Sequence, residues 1–197
     1  MKKVLVVLMF PCLMGSTAVA GEYEDRMETF FVQSGFYMPS KDFNDFDSDW
    51  GGYMALDGVF FLNDYFGLGS YLYGSSYDTE ERGNIEYTLR SFIIGASAVG
   101  RLPLENFDLY ALGGLGIAFN YATFEQKTNG FSAVSSADDW GLSFRGELGA
   151  RYYLRESFSL GASLGYLYNK IEIEYTAGDK DEKLSGFYIG VNAGWSR

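Results

Sequence analysis

The sequence predicts an all-β protein, an eight-stranded antiparallel up-and-down transmembrane β-barrel. The first observation is composition: 17 Phe, 16 Tyr and 25 Gly against three Pro favour strands joined by turns. The second is a series of eight long segments in which apolar residues alternate with small or polar ones. The third is an N-terminal secretion signal, which sends the chain out of the compartment where it is made.

The first 20 residues have the features of a cleaved signal peptide. Two lysines precede an apolar run that is shorter than the roughly 20 residues a transmembrane helix needs. Ala18 and Ala20 form a small-x-small pattern, so we expect cleavage after Ala20; the alternative is an uncleaved N-terminal anchor. Cleavage would remove Cys12, and the mature barrel, residues 21–197, would then contain no cysteine and hence no disulfide or Cys-ligated metal.

Eight alternating segments follow the signal peptide. In chain order they are Glu28–Met38, Trp50–Leu62, Tyr65–Tyr77, Ile85–Leu102, Phe107–Phe124, Asp139–Leu154, Phe158–Tyr175 and Leu184–Ser196. Three breaks, ND, PLEN and RES, are short, whereas PSKDFNDFDSD, DTEERGN, EQKTNGFSAVSSAD and TAGDKDEK are long, polar and mostly acidic. This alternation predicts a meander with short turns at one end and longer loops at the other.

Each segment has two faces, because successive side chains of a strand point to opposite sides of the sheet. In the seventh segment one face carries Phe158, Leu160, Ala162, Leu164, Tyr166 and Tyr168, and the other carries Ser159, Gly161, Ser163, Gly165 and Leu167. Soluble strands usually have about 5 or 6 residues, whereas a tilted strand needs roughly 9 to 11 to span a bilayer. The segments therefore suit a membrane barrel, with the small and polar face lining a crowded lumen.

The stretch SFRGELGARYYL, residues 143–154, carries its charges on one face only. We expect the other face to contact lipid through Phe144, Leu148, Ala150 and Tyr152. The two arginines and the glutamate must find partners in the lumen, because an unpaired buried charge is costly. With candidate partners from the second and fourth segments, the predicted lumen charge network consists of Asp57, Glu86, Arg90, Arg145, Glu147 and Arg151.

In the fourth segment, the charge of Arg90 and the apolar pattern point to different registers. Phe92 and Ile94 share a parity with Arg90, so a lumen position for Arg90 would place two large apolar side chains in the lumen as well. A β-bulge near this point would reconcile the two.

Aromatic residues cluster near the ends of the segments, as the interfacial girdles of a membrane barrel require. By the short turns these are Tyr65, Phe66, Phe107, Tyr153 and Phe158. Toward the long loops they are Trp50, Tyr53, Tyr77, Tyr87, Tyr121, Trp140, Tyr168 and Tyr175. Random scatter in a Tyr-rich chain is the alternative.

A signal peptide, eight amphipathic strands, FFLNDYFGLGSYLYG across a tight turn and an aromatic-bearing last strand give the chain a resemblance to a known family. It resembles the bacterial outer-membrane β-barrels of OmpA/OmpX type, porin-like barrels of the Gram-negative cell envelope. The resemblance covers residues 21–197. It implies short turns that face the periplasm, long loops that face outside, and location in the bacterial outer membrane.

The resemblance also implies partners. These are outer-membrane lipid and lipopolysaccharide, together with the barrel-assembly machinery during biogenesis. In the family the last strand often ends on an aromatic residue, but here the chain ends GWSR, with Trp195 two residues before Arg197. We expect a monomer, because an eight-stranded barrel closes its own edges.

Charge and composition argue against two classes of function. The formal net charge is −11, and −13 once Lys2 and Lys3 are lost, so nucleic-acid binding, which uses basic patches, is not expected. The chain contains no histidine, so the usual Ser–His and Asp–His pairs have no base. A carboxylic acid pair or a Ser–Lys dyad is chemically possible, but no spacing points to either. We therefore expect a non-enzymatic protein without a cofactor.

One acidic loop is a weak candidate for cation binding. KDFNDFDSDW carries carboxylates that could share a hard cation through oxygen ligands, namely Asp42, Asp45, Asp47 and Asp49. The loop lacks the mid-loop glycine and closing glutamate of a helix-loop-helix calcium site. A solvated acidic loop is the alternative, and no metal site is assigned.

Three functions remain open. The favoured one is a structural or envelope-integrity barrel, because eight strands leave an interior just wide enough for side chains to fill. The second is a small porin-like or OmpW-like channel for ions or small hydrophobic molecules, which free volume beside the many lumen glycines and serines would favour. The third is a surface adhesin or interaction barrel.

Overall fold

The computed structural model describes residues 28–40, 50–78, 85–128, 131–155, 157–175, 178–183 and 185–197. Nine β-strands lie in these ranges. In chain order they are β1 (Glu28–Pro39), β2 (Gly51–Phe61), β3 (Phe66–Asp78), β4 (Ile85–Leu104), β5 (Phe107–Thr128), β6 (Phe131–Arg155), β7 (Phe158–Tyr175), β8 (Gly178–Lys183) and β9 (Gly186–Ser196).

Eight of these strands form a closed antiparallel barrel, which confirms the predicted fold class. From β1 to β7 each strand pairs with the next, and β9 pairs with both β7 and β1, so the first and last strands close the barrel. The remaining strand, β8, pairs with the distal part of β7, from Lys170↔Lys183 to Tyr175↔Gly178. It forms a hairpin that extends β7 past the barrel wall.

The connections differ at the two ends of the barrel. Residues 62–65, 105–106 and 156–157 connect neighbouring strands at what we call the short-turn end. Glu105 has a φ of 31° in its two-residue turn, a left-handed backbone that such hairpin turns require. The other connections lie at the opposite, long-loop end. Thr29 and Ser196 are register partners at the short-turn end, so the first and last strands meet there.

Two stretches predicted as loops are largely strand. EQKTNGFSAVSSAD was expected to separate two segments, but β5 continues to Thr128 and β6 begins at Phe131. TAGDKDEK contributes β8. Neither stretch alternates apolar and polar residues, so hydrophobic periodicity does not detect them. Their ladders rest on backbone hydrogen bonds, which almost any side chain permits.

The barrel wall alternates regularly between a lumen face and an outer face. On β6 the outer side chains of Phe144, Leu148 and Tyr152 are 49%, 65% and 52% exposed, as expected for contacts with lipid. On β4 the ladders with β3 and β5 run without a register shift from Thr88 to Gly100. The proposed bulge is therefore absent from this stretch. Arg90 lies exposed on the outer face with Phe92 and Ile94, and its assignment to the lumen was wrong.

Among the residues that the structure describes, none belongs to a helix long and apolar enough to cross a membrane.

Candidate functional site

The centre of the lumen is occupied by an ion-pair cluster. Arg145 on β6 donates from Nη1 to Oδ1 of Asp57 on β2 at 2.8 Å, and from Nη2 to Oε2 of Glu147 at 2.6 Å. All three side chains are buried. Arg145 and Glu147 are two residues apart, so they share the lumen face of β6, and Asp57 reaches them from the opposite wall of the barrel.

Neutral side chains complete this cluster. Gln33 on β1 donates from Nε2 to Oε1 of Glu147 at 3.0 Å and to Oδ2 of Asp57 at 3.3 Å. The hydroxyls of Tyr110 and Tyr188 each donate to Glu147 at 2.8 Å. The Nε of Arg145 donates to the Tyr188 hydroxyl at 3.0 Å. We call Gln33, Asp57, Arg145 and Glu147 the central cluster; its charges are held by several hydrogen bonds each, as buried charges require.

A layer of tyrosines packs together in the lumen on the long-loop side of the central cluster. We call it the tyrosine layer, and it consists of Tyr37, Tyr53, Tyr73, Tyr77 and Tyr188, all at least 95% buried. Tyr53 stacks on Tyr73 with ring centroids 5.4 Å apart, and Tyr188 lies 4.8 Å and 5.6 Å from these two rings. Tyr37 stacks on Tyr77 at 5.7 Å. Leu89, Ile93 and Leu167 belong to the same buried apolar cluster as these rings.

The lumen glycines receive these tyrosine rings. A Cβ atom at Gly165 would meet the ring of Tyr188, and one at Gly190 would meet the hydroxyl of Tyr53. At Gly149 the ring of Tyr110 occupies the space. The glycines were expected to leave free volume in the lumen, but at these positions the space is filled by aromatic rings.

Beyond the tyrosine layer, toward the long-loop end, the lumen holds a small uncharged network. Asn169 donates from Nδ2 to Oδ1 of Asn120 at 2.6 Å, and Ser91 donates to the same oxygen at 2.7 Å. The Ser185 hydroxyl accepts the backbone N–H of Asn169 at 3.2 Å. These buried amides and hydroxyls satisfy one another.

The short-turn half of the lumen is charged and aromatic. The guanidinium of Arg151 lies 4.9 Å from the ring centroid of Phe31 and 4.7 Å from that of Tyr110. Arg101 stacks at 3.9 Å on the ring of Phe61, and its Nε donates to the Asp64 carbonyl at 2.7 Å. These two cations are therefore placed against aromatic faces.

Asp108 and Arg151 are register partners on β5 and β6, and both side chains are buried. Asp108 accepts the hydroxyl of Tyr153 at 2.6 Å. Within the described part of the chain, the Nε, Nη1 and Nη2 atoms of Arg151 have no hydrogen-bond partner. Among the described residues, direct ion pairing is thus seen at Arg145 and not at Arg151.

The predicted lumen charge network is only partly brought together. Arg145 contacts both Asp57 and Glu147, and Arg151 lies in the lumen six residues farther along β6. Arg90 points outward, as described above, because it shares a parity with Phe92. The side chain of Glu86 lies outside the described residues.

Two other predictions fall on residues that the structure does not describe. The acidic loop positions Asp42, Asp45, Asp47 and Asp49 lie in one such range, and the cleavage-site residues Ala18 and Ala20 lie in another. In the described ranges, no group of three or more Cys, Asp or Glu side chains is arranged to hold a metal ion.

Three residues assigned to the girdles lie in the lumen instead. Tyr53, Tyr77 and Tyr153 are at most 5% exposed. The alternation of faces along each strand could have placed them in the lumen, since Tyr53 shares its face with Asp57 and Tyr153 shares its face with Arg151. Girdle residues that do face outward are Tyr65, Phe66, Trp50, Tyr121 and Trp140, whereas Phe107, Phe158 and Tyr168 are partly exposed. The side chains of Tyr87 and Tyr175 lie outside the described residues.

Sequence reasoning missed Gln33, Arg101 and Asp108. Each shares the lumen parity of its strand, which is a signal that could have found them. Their partners could not have been found in this way, because these depend on which strand stands opposite.

Comparison with known proteins identifies related barrels. The sequence matches the family described as outer membrane protein beta-barrel domain over residues 7–196. It matches none of the curated proteins. The fold is similar to that of Ail, the attachment invasion locus protein of Yersinia pestis, with 18% identity, a TM-score of 0.51, and 86% of this chain and 95% of that chain covered.

Two further solved structures are similar in fold. The outer membrane protein OprG from Pseudomonas aeruginosa is 17% identical, with a TM-score of 0.55 and coverage of 89% of this chain and 98% of that chain. The outer membrane protease OmpT from Escherichia coli is 11% identical, with a TM-score of 0.51 and coverage of 76% and 65%. At these identities the likeness concerns the fold alone.

Proposed function

We propose, from the membership of this chain in the family of outer-membrane β-barrel domains, that it is a non-enzymatic structural barrel of the bacterial outer membrane with a lumen closed by its own side chains. The family sets the location and the architecture. The state of the lumen and the role in envelope integrity are the proposed part.

This proposal rests on one observation, the order of the side-chain layers along the lumen. The tyrosine layer lies on one side of the central cluster, and the stacked arginines lie on the other. A conducting path would have to pass between the rings of Tyr53, Tyr73 and Tyr188 and then past Arg145. Charge pairs that bridge opposite walls favour a plug over an aqueous path along one wall.

The absence of histidine supports a non-enzymatic role. The central cluster contains two carboxylates, but both accept hydrogen bonds from Arg145 and Gln33 inside a packed lumen. A general acid or base has to reach its substrate at hydrogen-bond distance. Enclosed as they are, Asp57 and Glu147 are better suited to hold opposite walls of the barrel together.

Planar-bilayer conductance tests the closed lumen. The parent protein purified from outer membranes would be compared with Arg145→Ala, and with Arg90→Ala as a control for an arginine on the outer face. We expect silence from the parent and the control, and discrete openings from Arg145→Ala. Stable openings of the parent would reject the plugged lumen and favour a small channel. Silence of all three would show that the central cluster is not what closes the lumen.

A second candidate function, surface interaction, is favoured by the length of two strands. β5 and β6 have 22 and 25 residues, about twice the 12 and 11 residues of β1 and β2. Because roughly 9 to 11 residues span the bilayer, their long-loop ends project past it. The similar barrel Ail carries the name attachment invasion locus protein.

A shortened hairpin tests this candidate. Ala122 and Ala137 are register partners, so an Asn-Gly turn placed just beyond them would remove the projecting tip and keep the barrel. Bacteria that display the parent or the shortened protein would be compared for adhesion to an epithelial monolayer. Lower adhesion of the shortened form would support surface interaction, and equal adhesion would argue against it.

The proposal also covers the oligomeric state of the barrel and its surroundings in the membrane. We propose that it is a monomer in contact with outer-membrane lipid and lipopolysaccharide, and that the barrel-assembly machinery inserts it. Analytical ultracentrifugation in detergent would test the monomer, and a stable dimer would contradict it.

A further inference from the structure

The barrel wall opens between β6 and β7 at the long-loop end. The ladder between these two strands starts at the short turn and ends at the pair Ser143↔Asn169. Both strands continue past this pair, β6 as residues 131–142 and β7 as residues 170–175. In the part of the chain that the structure describes, no residue of these two ranges pairs across the opening.

Each of the two ranges is paired on its other side only. Residues 131–142 stay paired with β5 along their whole length. On β7, Lys170 faces Lys183 of β8 just as Leu167 faces Gly186 of β9, so β8 continues the register of β9 and lies on the same side of β7. The sides that face the opening are therefore free edges, toward which every second residue directs its backbone N–H and C=O groups. We call residues 131–142 of β6 the open edge.

Most of the open edge stands outside the membrane. The girdle residue Trp140, which is 69% exposed, marks the place where β6 leaves the bilayer. Phe131 lies nine residues farther along the strand, which is about 30 Å at about 3.3 Å per residue. The free backbone groups between these two residues are therefore accessible to a polypeptide in solution on the long-loop side.

The open edge lacks the features that usually block a free strand. Natural sheets protect their edges with Lys or Pro, with β-bulges or with very short strands. Residues 131–137, FSAVSSA, contain neither a charged residue nor Pro. The ladder with β5 runs through this range without a register shift, so no bulge interrupts it. A regular and unblocked edge of this kind is a template for the addition of a further strand.

The charge around the opening selects the strand that can be added. Residues 131–142 contain two Asp and no Lys or Arg, a net charge of −2, and residues 170–175 contain two Glu and one Lys, a net charge of −1. The whole chain has a formal net charge of −11. A second copy would bring the same charges, which repel one another, whereas a cationic strand is attracted to both borders.

We propose that the open edge binds an extended, cationic polypeptide segment by β-strand addition. The backbone hydrogen bonds of the new ladder supply the affinity, and the acidic borders supply the preference for a cationic partner. This inference rests on surface interaction, the second candidate function, and gives the chemistry of the partner for it.

Hydrogen exchange of the backbone amides tests the proposal. The full-length protein in a non-ionic detergent would be mixed with the twelve-residue probe peptide (Lys-Val)6. One control is (Glu-Val)6, which forms strands and has the opposite charge. The other is (Lys-Val)6 with methylated backbone nitrogens, which keeps the charge and loses every N–H donor. Mass spectrometry would follow exchange in residues 131–142, with β1 as the internal reference because it is paired on both sides.

We expect saturating (Lys-Val)6 to slow exchange in the open edge about tenfold, while β1 and both control peptides show no change. The protein with the hairpin shortened beyond Ala122 and Ala137 should lose this protection, because most of its open edge is removed. Equal protection by either control peptide, or no protection by (Lys-Val)6, would overturn the proposal.

The adhesion assay described above separates this proposal from the function on which it rests. If (Lys-Val)6 gives no protection while the shortened protein still loses adhesion, strand addition is rejected and surface interaction stands. If the open edge of the parent is already protected without peptide, and dilution removes this protection, a second copy occupies the edge and the choice of a cationic partner is overturned.

Discussion

Arg145 and Arg151 occupy the same face of the same strand, six residues apart, and both are buried, yet their surroundings differ. Arg145 forms ion pairs with Asp57 and Glu147 and bonds the Tyr188 hydroxyl. Arg151 rests on the rings of Phe31 and Tyr110 without a hydrogen-bond partner among the described residues. The difference shows that a barrel lumen can accommodate an arginine by ion pairing or by ring contacts, depending on the strand that stands opposite.

The largest expected effect is that of removing the paired arginine. Arg145→Met leaves two buried carboxylates without their cation, and breaking a buried pair on one side costs about 3 to 5 kcal/mol. Urea unfolding in phospholipid vesicles, followed by tryptophan fluorescence, measures the free energy of unfolding. Arg90→Met, on the outer face, is the control and should change it by less than about 0.5 kcal/mol. A loss below about 1 kcal/mol at Arg145 would contradict the role assigned to the ion pairs.

A smaller loss of stability is expected from crowding the ring of Tyr188, whose hydroxyl accepts a hydrogen bond from Arg145. A side chain at Gly165 would meet the ring of Tyr188, so Gly165→Val should destabilise the barrel by about 1 to 3 kcal/mol. Gly58→Val is the matched control, because its added atoms face outward into open space. The same unfolding measurement applies. Equal stability of the two variants would mean that the tyrosine layer tolerates displacement.

Replacing the second arginine, in Arg151→Met, is expected to cost less stability than replacing Arg145. No hydrogen bond among the described residues is lost, and the methionine keeps an apolar contact with the rings of Phe31 and Tyr110. Replacing a buried charge by an apolar residue is often neutral, so the free energy of unfolding should change by about 1 kcal/mol or less. A loss as large as that of Arg145→Met would show that Arg151 has a strong partner after all.

The smallest effect is expected at a short turn, away from both arginines. Glu105 has a φ of 31°, where a residue with a Cβ atom is strained and asparagine is tolerated best. Glu105→Asn should therefore relieve part of this strain, which costs roughly 1 to 2 kcal/mol, and raise the free energy of unfolding by up to about 1 kcal/mol. A decrease would indicate that the glutamate side chain makes a stabilising contact that outweighs the strain.

The sequence predicts the barrel and most of its faces because a strand repeats every two residues. That period alone places Asp57, Arg145 and Glu147 in the lumen. It also places Arg90 on the outer face, together with Phe92. The predicted lumen position of Arg90 followed its charge instead of this alternation, and it was wrong. Where the chain leaves the bilayer the apolar signal ends, so the sequence predicts loops at the extended parts of β5 and β6 and at β8, where the structure has strands.

The contents of the lumen were harder to predict than its walls. Tyr53 and Tyr77 were assigned to the girdles because they stand near segment ends, although their parity points inward. Which side chains meet across the lumen depends on the tilt and stagger of eight strands together. The ion pair between Asp57 and Arg145 could be suggested from charge, but the ring contacts of Arg151 could not.

The pairing of β1 with β9 bears on how the molecule is made. The hydroxyls of Thr29 and Ser196, 3.2 Å apart, are separated by 167 positions of the chain. Contacts of such separation are slow to form, because the entropy of closing a long loop precedes any gain from the contact. Every other wall strand can pair with a neighbour already synthesised, so β1 keeps an open edge until β9 arrives. Closing this seam therefore carries the largest loop-closure entropy of the wall pairings, and the open edges of β1 and β9 have to be shielded from other chains until it closes.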